Sequence, residues 1–91
     1  MFVEKIVLKL YISGKTLRSD SAIRDLTALC EELPAHDIAI IDVLDHQELA
    51  DKVDIMITPT LIKESPKPGR RIIGDLSDRE KVLSGLGIEK R

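Results

Sequence analysis

The side chains that could perform chemistry are few in this sequence of 91 residues, and they lie far apart. There is one cysteine, Cys30, and there are two histidines, His36 and His46, each beside an aspartate. A single cysteine cannot form an intrachain disulfide or a cysteine-only metal site. A metal site at either histidine would need further convergent ligands, so we interpret both as solvated loop residues. The sequence predicts neither a metal ion nor a cofactor.

Two other short patterns suggest chemistry at first sight. Gly14-Lys15-Thr16 looks like the end of a phosphate-binding loop, but the motif needs an earlier glycine, which Leu10 to Ser13 does not supply. Asp42 could act as a general acid or base, yet no nucleophile or second partner accompanies it. A polar strand terminus is the better interpretation of Asp42. We therefore predict that the chain is not an enzyme.

Composition excludes further classes of function. Aromatic residues make up 2% of the chain, which leaves no platform for stacking single-stranded nucleic acid, and the formal net charge of -2 carries no bias towards phosphate. Arg70-Arg71 is too small a basic patch for nucleic acid and suits a protein carboxylate or a solvated strand. No apolar run approaches the roughly 20 residues of a membrane helix, and the start of the chain lacks the apolar segment of a signal peptide. A cytoplasmic location is the simplest expectation.

The first half of the chain has the periodicity of strand, helix and strand. Apolar residues alternate up to Ile12, which predicts a central strand. An apolar stripe from Ala22 to Leu33 predicts a helix, with an N-cap in the Ser19-Asp20-Ser21 cluster and a stop at Pro34. Ile38 to Leu44 is rich in β-branched residues and predicts the second strand.

The second half predicts a short helix, a hairpin and a last helix. Asp45 and Glu48 have capping-box-like spacing before the short helix, and Ile55 to Leu61 predicts a strand that leads into the turn at Pro66-Lys67-Pro68-Gly69. A return strand through Ile72-Ile73 follows the turn. The last helix spans about Asp78 to Ser84, with a Ser77-to-Glu80 capping box and with Gly85 and Gly87 as candidate ends.

The order βαβαββα is that of an α/β, thioredoxin-like domain with a four-stranded mixed sheet, spanning residues 1–91. Redox enzymes of this fold need a nucleophilic cysteine at the start of the first long helix, and Ser13 to Ser21 contains none. Cys30 lies near the other end of that helix and is expected to be buried and inert. The strand from Ile38 to Leu44 should lie at an edge of the sheet, where a partner strand can pair with it. An interaction module is the predicted function class.

Four segments together resemble the KaiB family of bacterial clock proteins. They are Leu8-Lys9-Leu10-Tyr11-Ile12-Ser13-Gly14, Ile41-Asp42-Val43-Leu44, Thr58-Pro59-Thr60-Leu61 and Arg70-Arg71-Ile72-Ile73-Gly74-Asp75-Leu76-Ser77. The similarity runs from about Val7 to Leu86. Ala39 and Asp54 stand where lysines are common in the family, which indicates a divergent member.

The resemblance implies a non-catalytic regulator that binds the N-terminal ring of a KaiC-type ATPase, and also KaiA, and that competes with a histidine kinase. A thioredoxin-like adaptor that binds a histidine kinase or another signalling partner without KaiC is the alternative. The residues proposed to bind partners are Ile38, Ala39, Ile40, Ile41, Asp42, Arg70 and Arg71.

The resemblance also implies two folds for one sequence. KaiB proteins adopt a tetrameric ground-state fold, βαββααβ, or a monomeric thioredoxin-like fold that binds KaiC, and the two differ in the C-terminal half. The residues proposed for the switch region are Pro59, Pro66, Pro68, Gly85 and Gly87. We expect this chain to favour the thioredoxin-like form, because its caps, turn and last helix are all locally consistent with that form.

Overall fold

The computed structural model describes residues 5–88 and has the predicted order βαβαββα. The elements are β1 (Ile6–Ile12), α1 (Leu17–Cys30), β2 (His36–Asp42), α2 (Gln47–Lys52), β3 (Thr60–Ser65), β4 (Arg70–Ile73) and α3 (Arg79–Leu86). The predicted α/β, thioredoxin-like fold class is confirmed.

The four strands form one mixed sheet in the order β2-β1-β3-β4. β1 pairs in parallel with β2 and antiparallel with β3, and β3 pairs antiparallel with β4. The central strand β1 contributes two fully buried leucines, Leu8 and Leu10, to the core. Buried residues of α1 and α3, among them Leu26 and Leu86, belong to the same core cluster. The two longer helices therefore cover the sheet face that carries Leu8 and Leu10, and β2 and β4 are left at the edges.

The first helix starts earlier and ends earlier than its apolar stripe predicts. The N-cap is Thr16, whose Oγ1 accepts a hydrogen bond of 3.0 Å from the Ser19 backbone N–H, so the predicted cap in the Ser19-Asp20-Ser21 cluster was wrong. The helix ends at Cys30, and the next three residues bond to carbonyls three positions back instead of four. This tightened turn keeps Leu33 against the core after the α-helix has ended.

Neither predicted capping box forms. The N-cap of α3 is Asp78, which accepts from the Lys81 backbone N–H at 3.2 Å. Ser77 instead donates its hydroxyl and its backbone N–H to the Asp75 carboxylate, at 2.7 and 3.0 Å. At α2 the N-cap position is His46, without a side-chain hydrogen bond, so the predicted cap at Asp45 was also wrong.

Two strand boundaries differ from the prediction. β2 begins at His36, so this histidine is a strand residue and not a loop residue, and the strand ends at Asp42, before Leu44. β3 begins at Thr60 and not at Ile55. Pro59 has no N–H to give to a ladder, and the Thr60 hydroxyl donates to the Ile57 carbonyl. Both features keep residues 55–59 out of the sheet.

The two glycines near the C-terminus have different roles. Gly87 is the C-cap of α3, with a φ of 71°, which confirms the predicted end at this residue. Gly85 lies inside the helix and does not end it. A Cβ at position 85 would meet the Ile72 side chain of β4, so the glycine allows close contact between helix and strand. No helix within residues 5–88 has the length and apolar character needed to cross a membrane.

Candidate functional site

The outer edge of β2, which we call the β2 edge (His36–Asp42), offers unpaired backbone groups. The Ala35 carbonyl accepts from the Ile6 N–H at 3.0 Å, and the Val43 N–H donates to the Ile12 carbonyl at 2.8 Å. Consecutive residues of a strand point their N–H and C=O groups to opposite sides. The odd-numbered residues of β2 therefore bond to β1. The even-numbered residues, Ile38 and Ile40 among them, point theirs away from the sheet.

The β2 edge is also apolar. Ile38 and Ile40 remain 38% and 46% exposed, whereas the β1 residues in register with them, Leu8 and Leu10, are fully buried. Edge strands are commonly protected by lysine or proline, and His36–Asp42 contains neither. Ala39 is exposed as well. A strand-forming partner would find both hydrogen-bonding groups and apolar surface at this edge.

Asp42 closes the turn that follows β2. Its Oδ1 accepts hydrogen bonds from the backbone N–H groups of Gly14 and Leu44, at 3.1 and 2.9 Å. These bonds connect the end of β1 to the end of β2. The geometry fits a polar strand terminus, as the sequence predicts, because the carboxylate serves as a backbone acceptor.

The proposed partner-binding residues are divided between the two edges of the sheet. Arg71 on β4 donates to the carbonyls of Val53 and Asp54, at 2.8 and 3.4 Å, and so ties the α2–β3 loop to β4. Arg70 is exposed beside it. Because β4 and β2 are opposite edges, Arg70 and Arg71 do not form one surface with the isoleucines of β2.

An open groove of about 310 Å³ lies at the start of α1, where a thioredoxin-like enzyme would carry its nucleophile. It is lined by Leu17, Arg18, Ser21, Ala22, Asp25, Pro59, Gly74, Asp75 and Leu76. The lining contains no cysteine or histidine. The hydrogen bonds from Ser77 hold the pKa of Asp75 below its usual range, so this carboxyl stays ionised. The groove thus offers no thiol or imidazole, and Asp75 is not a proton donor near neutral pH.

Cys30 lies at the far end of α1. It is buried, and burial raises the pKa of its thiol to about 11, because a thiolate would lose its hydration. The thiol therefore remains protonated and unreactive at neutral pH. This confirms the expectation of a buried cysteine, and the raised pKa supports the prediction that it is inert.

The two histidines do not assemble a metal site. His36 Nδ1 donates to the Pro34 carbonyl at 2.8 Å, and His46 is exposed at the start of α2. Within residues 5–88 no group of three or more His, Cys, Asp or Glu side chains could hold a metal ion.

An apolar patch near β4 is not evident from the sequence. Met56 and Ile57 are 91% and 56% exposed, and Ile73 of β4 is also half-exposed. The segment lies beside β4, because the Gly74 N–H donates to the Pro59 carbonyl at 2.9 Å. The signal that could have revealed it is Pro59, which makes a strand through Ile57 unfavourable.

The residues proposed for a fold switch occupy junctions. Pro59 precedes β3, Pro66 and Pro68 lie in the turn between β3 and β4, and Gly85 and Gly87 lie in and after the last turn of α3. Their role in a switch stays a prediction.

Comparison with known proteins identifies relatives over almost the whole chain. Residues 9–88 match the KaiB domain. The chain is 48% identical over 90 residues to the circadian clock protein KaiB3 of Synechocystis sp., covering 97% of this chain and 88% of the relative. It is 47% identical over 90 residues to the circadian clock oscillator protein KaiB of Microcystis aeruginosa, covering 97% and 86%.

Solved structures with the same fold have much lower sequence identity. The N-terminal domain of Synechococcus elongatus SasA matches with a TM-score of 0.78 at 18% identity, over 96% of this chain and 88% of that domain. Mitochondrial thioredoxin 3 of Saccharomyces cerevisiae matches with a TM-score of 0.74 at 15% identity, over 91% and 77%. These matches support the thioredoxin-like fold, and the sequence matches establish the family: the chain belongs to the KaiB family of circadian clock proteins.

Proposed function

We propose that this chain is a non-catalytic clock regulator that binds the N-terminal ring of a KaiC-type ATPase, and KaiA, in its thioredoxin-like form. The observation that carries the proposal is a KaiB domain over residues 9–88 folded in that form. A soluble ATPase partner would place the chain in the cytoplasm. In the bound state we expect one monomer of this chain for each ring subunit it occupies.

Two surfaces are proposed for the partners. Within the β2 edge, residues Ile38 to Asp42 are proposed as the strand-pairing surface for KaiA. Arg70 provides an exposed guanidinium for a partner carboxylate, whereas Arg71 already donates to two carbonyls of its own chain. An arginine can pair with a carboxylate through two parallel hydrogen bonds, so the charge of Arg70 should contribute to affinity and orientation.

Size-exclusion chromatography with light scattering, with and without a KaiC-type ring, tests the proposal. We expect the chain to co-elute with the ring and Arg70→Glu to bind about tenfold more weakly, a loss typical of reversing one interfacial charge. Arg24→Glu makes the same charge change on the exposed surface of α1 and should bind like the wild type.

Two outcomes would change the assignment. If Arg70→Glu and Arg24→Glu bind equally well, Arg70 is not at the interface. If the wild-type chain never joins the ring, the adaptor alternative takes its place, and the same column run with the sensor domain of a histidine kinase then tests that alternative.

A further inference from the structure

We propose that Lys63 and Arg70 form one cationic site that holds a single carboxylate of the ATPase ring. The inference rests on the proposed function and deepens it, because that proposal gives Arg70 a partner carboxylate but no companion. It adds Lys63, a buried lysine of β3, and it states that both side chains bind the same carboxylate. We call Lys63 and Arg70 the cation pair.

The two residues of the cation pair lie directly opposite each other in the antiparallel ladder of β3 and β4. Opposite residues of such a ladder project to the same face of the sheet, with Cβ atoms about 4.5–5.5 Å apart. The next pair on that face is Leu61 with Ile72, and both of these residues pack in the core. The cation pair therefore projects to the face of the sheet that the core covers.

The side chain of Lys63 is enclosed by the protein. It is 2% exposed, and no hydrogen bond or ion pair within residues 5–88 holds its ammonium, in contrast to Lys5 and Lys9, which each pair with a carboxylate. Within the same part of the chain every fully buried polar side-chain atom has a hydrogen-bond partner, so the Lys63 Nζ must reach the surface at its tip. Its aliphatic stem is buried, and its charge is open to a ligand.

The ammonium of Lys63 emerges beside the C-terminal end of α3. A Cβ at Gly87, the C-cap, would lie 3.7 Å from Nζ. A helix C-terminus carries about half a negative charge, so about one and a half of the two positive charges of the pair are left. The neighbouring carboxylate of Glu64 does not neutralise them, because it projects to the other face and pairs with Lys9 at 3.1 Å.

This excess of positive charge favours a carboxylate ligand. Like charges directly opposite each other destabilise a sheet, and an anion between them removes the repulsion. A carboxylate can accept two parallel hydrogen bonds from a guanidinium and a further one from an ammonium. A doubly charged phosphate would bring more negative charge towards the negative end of α3. Because burial already immobilises the Lys63 stem, binding costs little further side-chain entropy.

Binding of the chain to a KaiC-type ring, measured by fluorescence anisotropy, tests the cation pair. Lys63→Met keeps the apolar stem and removes the charge, and Arg70→Gln removes the guanidinium. Each should bind the ring about tenfold more weakly, the effect of losing one hydrogen bond to a charged group. Lys67→Met is the matched control, because it removes one lysine charge from the turn between the same two strands, and it should bind like the wild type.

The double variant tests whether the two cations share one ligand. Because each cation orients the carboxylate for the other, Lys63→Met combined with Arg70→Gln should lose about as much affinity as either single variant, whereas independent contacts would lose about a hundredfold. A hundredfold loss would overturn the proposal. Wild-type affinity of Lys63→Met, or an equal loss from Lys67→Met, would overturn it as well. Circular dichroism controls for the folding of each variant.

Titration of the free chain with sodium acetate tests the cation pair without the ring, with sodium chloride at the same ionic strength as the reference. The NMR signal of the Arg70 Nε–H should shift with acetate in the wild type, and shift less in Lys63→Met. No acetate-specific shift, or a shift with sodium phosphate alone, would overturn the carboxylate site. An acetate-specific shift in a chain that never joins the ring would contradict the proposed function while supporting the cation pair.

Discussion

Asp42 and Asp75 carry the same functional group but differ in how far along the chain their hydrogen-bond donors lie. Asp42 accepts from Gly14, which is 28 positions away in the sequence, and from Leu44, which is 2 positions away. It thereby connects two strand ends. Asp75 accepts only from Ser77, two residues ahead, and is fully exposed. The hydroxyl beside Asp75, that of Ser77, donates its hydrogen bond to the carboxylate, and Asp42 accepts from two backbone N–H groups. At the scale of single residues these two carboxylates serve as hydrogen-bond acceptors for nearby backbone N–H groups.

The thiol of Cys30 gives a prediction about pH. Its pKa is raised from 9.0 to about 11 in the folded chain. Above pH 9 the thiol ionises in the unfolded chain but not in the folded chain, so the free energy of unfolding falls as pH rises from 9 to 11. Cys30→Ala lacks this term. Urea denaturation at several pH values should show a steeper fall for the wild type than for Cys30→Ala, and parallel curves would contradict this explanation.

The start of α3 gives a prediction at the scale of elements. Asp78 accepts from the Lys81 N–H and fills the N-cap position. Asp78→Ala should lower the free energy of unfolding by about 1 kcal/mol, the usual effect of losing a cap. Ser77→Ala is the matched control and should cost less, because its hydroxyl bonds only to an exposed carboxylate. Urea denaturation measures both, and a larger loss from Ser77→Ala would restore the capping box predicted from the sequence.

The identities and order of the elements could be predicted from the sequence, because apolar periodicity follows from which face is buried. Their ends could not. Candidates for a cap stand next to one another at Ser77 and Asp78. A local hydrogen bond from the Ser77 hydroxyl to Asp75 takes Ser77 out of use and leaves the Asp78 carboxylate as the cap. The strand predicted over Ile55 to Leu61 was shortened for a similar reason, since an apolar run does not reveal which part reaches the sheet.

The candidate site was predictable in part. Its place on the edge strand follows from the thioredoxin-like order of the elements, because the first strand is central in that fold. That Ile38 and Ile40 carry the outward-pointing backbone groups follows only from the pairing register, which no sequence pattern indicates. The sequence also does not indicate that Arg70 and Arg71 lie at the edge opposite β2, because that follows only from the order of the strands in the sheet.

The choice of fold gives a prediction for the whole molecule. Val82, Leu83 and Leu86 of α3 are buried in the core, and Gly87 provides the left-handed end of the helix. The NMR secondary chemical shifts of residues 82–86 should therefore be helical in the free protein. Shifts typical of a strand across these residues would show that the ground-state fold predominates in solution.

The inequality of the two sheet edges limits how far any assembly can grow. β4 is short and its Arg71 side chain is committed to the α2–β3 loop, so strand addition has one direction open to it. A subunit whose β2 is already paired has no second open sheet edge with which to bind a third subunit. Any strand addition at β2 would therefore stop after one step, whereas a sheet with two equivalent open edges could propagate into a fibre.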